Sequence, residues 1–457
     1  MRKNRGEDDG WTARAAKLFA TEKAALLEAT PRSRALFERA RQTMPLGVAS
    51  SFQAIDPYPI YLARGQGSEV IDVDGRHYVD FNNGLGAMAV GHAHPAVVAA
   101  IERAARTGTH FAVTTERTVQ LGEELCRRFR MERVRFGNSG TEATMDAIRV
   151  ARGVTGRNVI CKIEGSYHGH HDTVMFSVTP SLMLIEKSVA GDQIPASKGI
   201  PAEMAKWTLA LRFNDLAAAE QLFAERGEEI ACLIIEPVMM NIGIVLPKPG
   251  YLEGLRDLCH RHGIVLIFDE VKCGATIAAG GATERFGIQP DLICLAKSVF
   301  GGLPGSAFGG RADLMDEIGN GIAQQGTFNG NPLVSAAALA ALTEVLTPEA
   351  YRRFDELGAR LASGCRSAIT EHDLPAHVVD LGCKGCISYR REPLVDYRSF
   401  LETNAELFEA SWAWLVNRGI FMTPGNEEQW TISAQHTEAD IDRFIEVFSG
   451  FCATLTD

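Results

Sequence analysis

Long hydrophobic runs are absent from this sequence of 457 residues. A helix that spans a membrane needs roughly 18 to 20 consecutive apolar residues, and no stretch here reaches that length. The amino-terminal segment MRKNRGEDDGW contains no apolar core that would serve as a secretory signal. We therefore expect a cytoplasmic protein without a membrane partner.

Clusters of positive charge are absent as well. The chain has 46 Lys and Arg residues against 57 Asp and Glu residues, which gives a formal net charge of −11. This acidic balance disfavours binding to nucleic acid or to an anionic membrane surface. With 46% hydrophobic residues, the chain can build a large core, either as two domains or as one large domain with an appendage.

Metal-binding patterns are scarce. Many of the ten cysteines stand inside apolar patterns, as expected of buried, reduced thiols. Cys383 and Cys386 form a C-x-x-C pattern, but no second pair accompanies it, so metal or redox use is disfavoured. Residues 165–172 include three histidines and an aspartate, yet these follow one another in a glycine-containing loop. We expect no metal site.

Two short apolar runs organise the middle of the chain. Residues 264–268 are followed at once by Asp269, and residues 291–296 by Lys297. Such runs predict buried strands of a parallel sheet, whose carboxyl edge binds ligands in open α/β folds. Taken singly, a strand-end Asp is often a helix cap and a strand-end Lys a solvated loop residue. Together they suit pyridoxal 5′-phosphate (PLP), which needs a lysine for its Schiff base and an acid at its ring nitrogen.

Three further stretches indicate groups around such a cofactor. Ser139, Gly140 and Thr141 open a helix after a short strand, where free backbone N–H groups can hold a phosphate. The alternative is that Ser139 or Thr141 simply caps the helix. Tyr167 follows another strand and would stack on a planar ring. Glu236 places an acid at a third strand end, which predicts a polar cleft at this edge of the sheet.

The order of predicted elements divides the chain into three parts. Residues 1–80 hold an N-terminal helical arm and a small β-ribbon. Residues 81–334 alternate buried strands with helices and form a large domain, in which 175–210 is an irregular loop. Residues 335–457 mix short strands with helices, one of them predicted at 395–418. We expect the first and third parts to build a smaller α+β domain.

These segments, in this order, resemble the class III aminotransferases of PLP fold type I, from about residue 35 to the end. The resemblance rests on eight ordered motifs: Gly91-His-Ala-His-Pro95, Asn138-Ser-Gly-Thr-Glu-Ala143, Tyr167-His-Gly169, Glu236-Pro237, Phe268-Asp-Glu-Val271, Leu295-Ala-Lys297, Gly301-Gly-Leu-Pro304, and Gly326-Thr327 with Asn331-Pro332. It implies an α/β fold with a mostly parallel sheet flanked by helices, and a smaller α+β domain built from both chain ends.

The resemblance also implies roles for individual residues. Lys297 would form the Schiff base and move a proton during the reaction, and Asp269 would pair with the ring nitrogen. Tyr167 and Val271 would cover the two ring faces. Thr327 would reach the phosphate of a neighbouring subunit, which implies a homodimer with shared active sites. The implied cofactor contacts are Ser139, Gly140, Thr141, Tyr167, His168, Glu236, Asp269, Val271, Lys297 and Thr327.

Within the family, the sequence is similar to glutamate-1-semialdehyde 2,1-aminomutases, with departures. Gln53 stands where the aminomutase pattern has an arginine for a substrate carboxylate, and an amide offers no charge-assisted fork. Glu428 matches an acidic position of the aminomutases, the alternative being a solvated surface acid. The usual Thr-Gly-Phe-Arg is replaced from Cys273 to Thr276, and Phe300 replaces a glycine near the phosphate.

Three functions are compatible with these expectations. The leading hypothesis is a PLP-dependent aminotransferase, which moves an amino group from an amine or amino-acid donor to a keto acceptor through the Lys297 Schiff base and pyridoxamine phosphate. Gln53 favours a substrate that is not recognised there by an α-carboxylate. The alternative is a PLP-dependent isomerase, either an aminomutase or a racemase, in which nitrogen or proton returns to the same molecule. A protein that only binds PLP is disfavoured, because Lys297 and Asp269 are both present.

Overall fold

The computed structural model describes residues 5–187, 193–425 and 429–456, without the side chains of 5–9, 182, 186 and 187. The strands are β1 Leu62–Gln66, β2 Glu69–Asp72, β3 His77–Asp80, β4 Arg133–Gly137, β5 Val159–Ile163, β6 Thr208–Leu211, β7 Ile230–Ile235, β8 Val265–Asp269, β9 Leu292–Leu295, β10 Ser306–Gly310, β11 His377–Leu381, β12 Lys384–Ser388, β13 Ile420–Phe421 and β14 Trp430–Thr431. The helices are α1 Arg5–Ala29, α2 Pro31–Ala40, α3 Asn83–Gly86, α4 Pro95–Thr107, α5 Glu116–Phe129, α6 Gly140–Thr155, α7 Leu182–Lys187, α8 Leu216–Arg226, α9 Tyr251–His262, α10 Gly281–Phe286, α11 Ala312–Met315, α12 Pro332–Ala340, α13 Pro348–Glu371, α14 Tyr397–Phe400, α15 Ala405–Asn417 and α16 Glu438–Thr456.

A seven-stranded sheet forms the centre of the molecule, in the order β4-β10-β9-β8-β7-β5-β6. The strands from β9 to β6 are parallel to their neighbours, whereas β10 is antiparallel to both β9 and β4. Alternate residues of β7 enter two apolar clusters: Leu233 and Ile235 pack with α9, and Cys232 and Ile234 pack with α6. Because both faces are covered, the parallel strands read as continuous apolar runs. The predicted fold class is confirmed.

The carboxyl edge of this sheet gathers three ionisable side chains. Strand β8 ends at Asp269, Glu236 directly follows β7, and Lys297 follows β9 after one residue. The three strands are parallel neighbours, with Asp269 opposite Cys294 in the register. Their carboxyl ends therefore meet at one edge, as in other open α/β sheets that bind ligands there.

Two smaller sheets accompany the central one, and the first of them combines strands from both ends of the chain. Strands β1, β2 and β3 form an antiparallel ribbon, and β13 adds to β3 in parallel, with Ile420 opposite Val79. The long helix α1 packs against α15. A second sheet, β11-β12-β14, is antiparallel. The amino-terminal and carboxyl-terminal parts thus share one α+β layer, while the boundaries 1–80, 81–334 and 335–457 stay a prediction.

The structure differs from the sequence-based expectations in three places. The irregular segment 175–210 contains α7 and leads into β6, an edge strand too short to give a clear pattern. Strand β10 was not expected, because Gly309 and Gly310 weaken a strand pattern. A Cβ at Gly309 would lie 2.2 Å from the Arg133 carbonyl oxygen, so close strand packing requires the glycine. The helix predicted at 395–418 is two helices, since Asn404 caps a new one.

Within the described residues, no single helix has the length and hydropathy to cross a membrane. The helical segments Pro332–Val345 and Pro348–Glu371 pass that test only as a pair, and they are bent by 71°. The described residues also contain no group of three or more His, Cys, Asp or Glu side chains arranged for a metal ion. Cys383 and Cys386 are buried free thiols on either side of the start of β12.

Candidate active site

A cavity of about 360 Å³ opens at the carboxyl edge of the central sheet. Its walls come from the ends of β7, β8 and β9, the start of α6, and the loop after β5. The residues lining it are Ala87, Asn138, Ser139, Gly140, Thr141, Tyr167, His168, Gly169, Glu236, Asn241, Asp269, Val271, Lys272, Ala296, Lys297, Gly302, Leu303, Pro304 and Gly305. Sequence reasoning thus identified nine residues that share one cavity: Ser139, Gly140, Thr141, Tyr167, His168, Glu236, Asp269, Val271 and Lys297.

Asp269 is held from two sides. Its Oδ2 lies 2.7 Å from Nδ1 of His168, and its Oδ1 accepts a hydrogen bond from the Val271 backbone N–H at 3.1 Å. Asp269 and His168 are both buried, with relative exposures of 4% and 1%. Nε2 of His168 has no hydrogen-bond partner among the described residues. The pairing fixes the orientation of a buried carboxylate that faces the cavity.

Lys297 begins a strained turn that follows β9. Ala296 is extended, whereas Lys297 has φ of 51°, in the left-handed region that non-glycine residues rarely adopt. A short 3-10 turn, Lys297–Phe300, follows. Strain of this kind concentrates at functional sites, where surrounding structure holds it in place. The turn delivers the half-buried lysine side chain to the cavity wall rather than into the next helix.

The start of α6 forms the wall expected for a phosphate. Ser139 caps the helix: its Oγ accepts from the Glu142 N–H at 3.2 Å, and its own N–H donates to Glu142 Oε2 at 3.1 Å. The capping interpretation of its side chain is therefore correct, and it leaves the cavity lined by the first turn of α6. A Cβ on Gly140 would lie 2.9 Å from Cγ1 of Val271, so glycine permits the helix end to meet the ring-face residue. Thr141 Oγ1 lies 3.1 Å from Nδ1 of His170.

Glu236 positions two loops around the cavity. Its Oε1 accepts from the Tyr167 N–H at 3.0 Å, and its Oε2 accepts from the Met240 N–H at 2.9 Å. The side chain is buried, so both bonds form in a low-dielectric setting. Burial, and secondarily the nearby Asp269, raises the pKa of the Tyr167 phenol, which keeps the ring neutral. Phe52 meets Tyr167 edge to face, with ring centroids 5.9 Å apart.

Lys162 supports the Tyr167 loop from below, a role that sequence reasoning missed. Its fully buried ammonium donates to the carbonyl oxygens of Ser166, Val174 and Phe176 at 2.9, 3.2 and 2.8 Å. Three acceptors match the three N–H bonds of an ammonium group. Burial lowers its pKa to about 7, against the opposing effect of Glu236. The sequence feature that could have revealed this role is a lysine inside the apolar run of β5.

The remaining predicted residues lie elsewhere. Gln53 is exposed, and its Oε1 accepts from the Ala49 N–H at 3.2 Å. Thr327 is exposed on a loop tied to the cavity rim by the Asn138 Nδ2 to Asn329 Oδ1 bond of 2.9 Å. Neither Gln53 nor Thr327 lines the cavity as the described residues form it. Glu428 lies outside the described residues.

Phe300 does not line the cavity as the described residues form it. Its ring is 1% exposed and belongs to the main apolar cluster. A Cβ at Gly305 would lie 2.4 Å from Phe300 Cδ1, so the ring packs against the backbone of the turn from the core side. Cys273 is likewise buried, 3.7 Å from Glu270 Oε2. The cavity residues that the sequence did not single out include two polar ones, Asn241 and Lys272.

Comparison with known proteins identifies the family. The profile of aminotransferase class-III matches residues 52–406. The chain belongs to the class III aminotransferase family. It is 41% identical over 421 residues to a glutamate-1-semialdehyde 2,1-aminomutase of Desulfitobacterium hafniense, which covers 91% of this chain and 96% of that protein.

Solved structures of class III enzymes share the fold. An omega-transaminase from Sphaerobacter thermophilus superimposes with a TM-score of 0.87 at 33% identity, covering 93% of this chain and 98% of that one. A glutamate-1-semialdehyde-aminomutase from Pseudomonas aeruginosa PAO1, in complex with PMP, gives 0.88 at 29% identity, covering 97% of this chain and 99% of that one. The comparisons thus support the isomerase alternative better than the aminotransferase hypothesis.

The cofactor of this class III chain is PLP, as predicted. The cavity fits it: it offers an amine in Lys297, a buried carboxylate in Asp269, and a helix end at Gly140 where a phosphate is favourable. Tyr167 and Val271 line the same cavity and are the ring-face candidates. The glycine at position 140 leaves open the close approach that a Cβ would fill.

Proposed function

We propose that this enzyme moves an amino group between neighbouring carbons of one substrate, an aminomutase reaction. The observation that carries the proposal is the 41% identity to a glutamate-1-semialdehyde 2,1-aminomutase across 91% of the chain. The cavity supports it, because one amine and one buried carboxylate on a shared wall are the groups that such chemistry requires.

Bound PLP supplies an electron-withdrawing ring that stabilises negative charge on the substrate carbon beside the nitrogen. The residues of this chain carry out the remaining tasks. The Lys297 side-chain amine takes a proton from one substrate carbon and returns it to the other. Asp269, oriented by His168, would hold a negative charge against the ring nitrogen. Glu236 fixes the backbone of Tyr167, so that its ring closes one side of the cavity.

The test is turnover without a second carbonyl partner. Purified protein with PLP is incubated with glutamate-1-semialdehyde and no keto acid, and the isomeric amino ketone is quantified. We expect many product molecules per enzyme, and none with the Lys297→Ala variant. Product limited to one equivalent or less would overturn the aminomutase proposal.

A second candidate is an aminotransferase, and Gln53 is the observation that favours it. The neutral amide is exposed and accepts the Ala49 N–H, so the chain presents no cation at this position. The likeness to an omega-transaminase at 33% identity also supports it. The amine donor and keto acceptor would then be separate small molecules.

One measurement separates the candidates, and a second tests the role of position 53. An aminotransferase given a panel of amines without keto acid loses its visible cofactor absorbance and stays in that state, whereas an aminomutase converts its substrate and regains it. In the second measurement, Gln53→Arg is compared with wild type on carboxylate and non-carboxylate donors. A shift towards carboxylate donors supports a substrate-recognition role for position 53, and an unchanged preference contradicts it.

The active unit that we propose is a homodimer in the cytoplasm. Exposed apolar side chains near Thr327 support an interface: Phe328 is 58% exposed and its ring centroid lies 4.8 Å from that of His110, and Phe111 nearby in sequence is 50% exposed. Size-exclusion chromatography with light scattering tests the dimer. A mixing experiment tests whether the two subunits share their active sites. Lys297→Ala and an inactivating substitution of Thr327 are combined, and activity returns only if one site uses Lys297 from one chain and Thr327 from the other.

A further inference from the structure

Ser298 directly follows the lysine assigned to the cofactor, and it is buried. Its hydroxyl donates a hydrogen bond to the Gly86 carbonyl oxygen at 2.5 Å, across 212 positions of the chain. Ala87, the next residue after Gly86, lines the cavity. The bond therefore joins the turn that begins at Lys297 to a segment that forms another part of the cavity wall.

The turn at Lys297 needs support from its surroundings. A left-handed conformation is unfavourable for a residue with a side chain, and such strain persists only where neighbouring structure holds it. Two backbone hydrogen bonds of the turn are long: the Val299 N–H donates to the Ala296 carbonyl oxygen at 3.3 Å, and the Gly301 N–H donates to the Ser298 carbonyl oxygen at 3.3 Å. The Ser298 hydroxyl supplies a shorter bond, from the residue directly after the strained one.

Gly86 belongs to a segment that is itself fixed. Residues 83–86 have φ angles between 46° and 81°, so four consecutive residues are left-handed. The buried Asn83 side chain donates through Nδ2 to the carbonyl oxygens of Asp80 and Thr431, at 2.7 and 2.8 Å. The Gly86 carbonyl oxygen is therefore presented by a segment that is anchored to both β3 and β14.

We propose that Ser298 is a positioning residue, whose bond to Gly86 holds the turn in the conformation that presents the Lys297 amine to the cofactor. This role goes beyond the proposed function and applies to either candidate reaction, because both use Lys297. Ser298 acts through the lysine, since Ser298 itself does not line the cavity that the described residues form. Removing its hydroxyl should therefore weaken the cofactor site only when Lys297 is present.

Ser298→Ala is the probe, and Ser33→Ala is the matched control. Ser33 on α2 is also buried, its hydroxyl donates to Asp74 Oδ2 at 2.8 Å, and it does not line the cavity. Each substitution removes one buried hydroxyl and its hydrogen bond, so urea unfolding should show a loss of stability in both variants. Only the loss at Ser298 should extend to the cofactor.

The first experiment measures PLP affinity by equilibrium dialysis in a double-mutant cycle. Wild type, Ser298→Ala, Lys297→Ala and the double variant are compared. We expect Ser298→Ala to weaken PLP binding about three- to tenfold when Lys297 is present, the range for one hydrogen bond, and to leave the affinity unchanged in the Lys297→Ala background. Equal weakening in both backgrounds would mean that the hydroxyl supports the cavity as a whole. That result, or no weakening when Lys297 is present, would overturn the proposal.

The second experiment follows how fast PLP becomes attached to Lys297. Apoenzyme is mixed with saturating PLP, samples are reduced with borohydride at intervals, and the modified Lys297 peptide is quantified by mass spectrometry. We expect the limiting rate constant to fall about tenfold in Ser298→Ala and to stay unchanged in Ser33→Ala. Equal rate constants in wild type and Ser298→Ala, or an equal fall in Ser33→Ala, would overturn the proposal.

The two experiments are independent of the reaction that the enzyme catalyses. Neither requires turnover, so failure of the aminomutase proposal would leave the role of Ser298 open to the same decision. If Lys297→Ala binds too little PLP for dialysis, the rate of attachment decides alone.

Discussion

His168 and Asp269, 101 residues apart in the chain, meet through a 2.7 Å contact between Nδ1 and Oδ2 in the floor of the cavity. The loop after β5 supplies the imidazole and the end of β8 supplies the carboxylate. Asp269 thereby carries a fixed partner in addition to the Val271 N–H. The buried acid that lines the cavity is set in place by a neighbour as well as by the backbone of its own loop.

Replacing His168 by Phe is expected to weaken the cofactor site without emptying the core. Phenylalanine retains a ring of similar size but offers no hydrogen bond to Asp269. We expect PLP to bind about ten- to a hundredfold less tightly, the range for losing a hydrogen bond to a charged group. Equilibrium dialysis of PLP measures this. His260→Phe, at an exposed histidine of α9 outside the cavity, is the control, and unchanged PLP affinity in His168→Phe would contradict the prediction.

A double-mutant cycle tests the close packing of Gly140 on Val271. In Gly140→Ala the new Cβ would lie 2.9 Å from Cγ1 and 3.0 Å from Cγ2 of Val271. We expect a loss of about 1–3 kcal/mol of unfolding free energy, as for an overpacked site. Adding Val271→Ala removes the facing methyl groups, so the penalty of Gly140→Ala should shrink in that background. Additive effects of the two substitutions, measured by denaturant unfolding, would be evidence against this packing.

Glu236→Gln should loosen the loops at Tyr167 and Met240. An amide accepts through one atom, so one of the two buried N–H groups loses its partner. We expect a loss of about 1–3 kcal/mol of unfolding free energy, the usual cost of an unsatisfied buried donor. Faster hydrogen exchange at Tyr167 or Met240 locates the effect. Unchanged stability together with unchanged exchange would show that Glu236 does not position these loops.

Glu270, the neighbour of Asp269, gives a pH-dependent prediction. Burial raises its pKa to about 7 from an ordinary 4.5, and its Oε1 has no hydrogen-bond partner among the described residues. Between these two pH values the folded state binds more protons than the unfolded state, so its contribution to the unfolding free energy falls as pH rises.

Glu270→Gln mimics the protonated form at every pH. We therefore expect the variant to be more stable than wild type at pH 8, with the difference shrinking towards pH 4.5 as wild type becomes protonated. Urea unfolding of both proteins across this range measures the difference. A variant that loses stability equally at both ends of the range would contradict a neutral Glu270 in the folded protein.

The sequence predicted most of the site because its chemistry sits at the ends of buried strands. Asp269 and Lys297 each follow an apolar run, and parallel pairing then forces their side chains to one edge. The same reasoning predicted the central sheet and the first turn of α6. Neither inference required long-range detail, since strand polarity alone determines which ends meet.

Contacts between residues that lie far apart in the chain could not be predicted from the sequence. The contact of His168 with Asp269, and the three carbonyls around Lys162, depend on how loops fold back across the sheet. The sequence did not indicate that Lys272 lines the cavity, because a charged residue directly after Val271 resembles an ordinary solvated loop residue. Strand β10 was missed for a related reason: its glycines serve close packing with β4, which lowers their apparent strand preference.

The most direct measurement of the central claim is to map the lysine that holds PLP. The PLP-loaded enzyme is reduced with borohydride, digested and analysed by mass spectrometry. Because the cavity contains both Lys272 and Lys297, the result discriminates between two amines on one wall. We expect a single modified peptide, with the cofactor on Lys297, and none in Lys297→Ala. Modification of Lys272 in the wild type, or an unmodified Lys297, would contradict it.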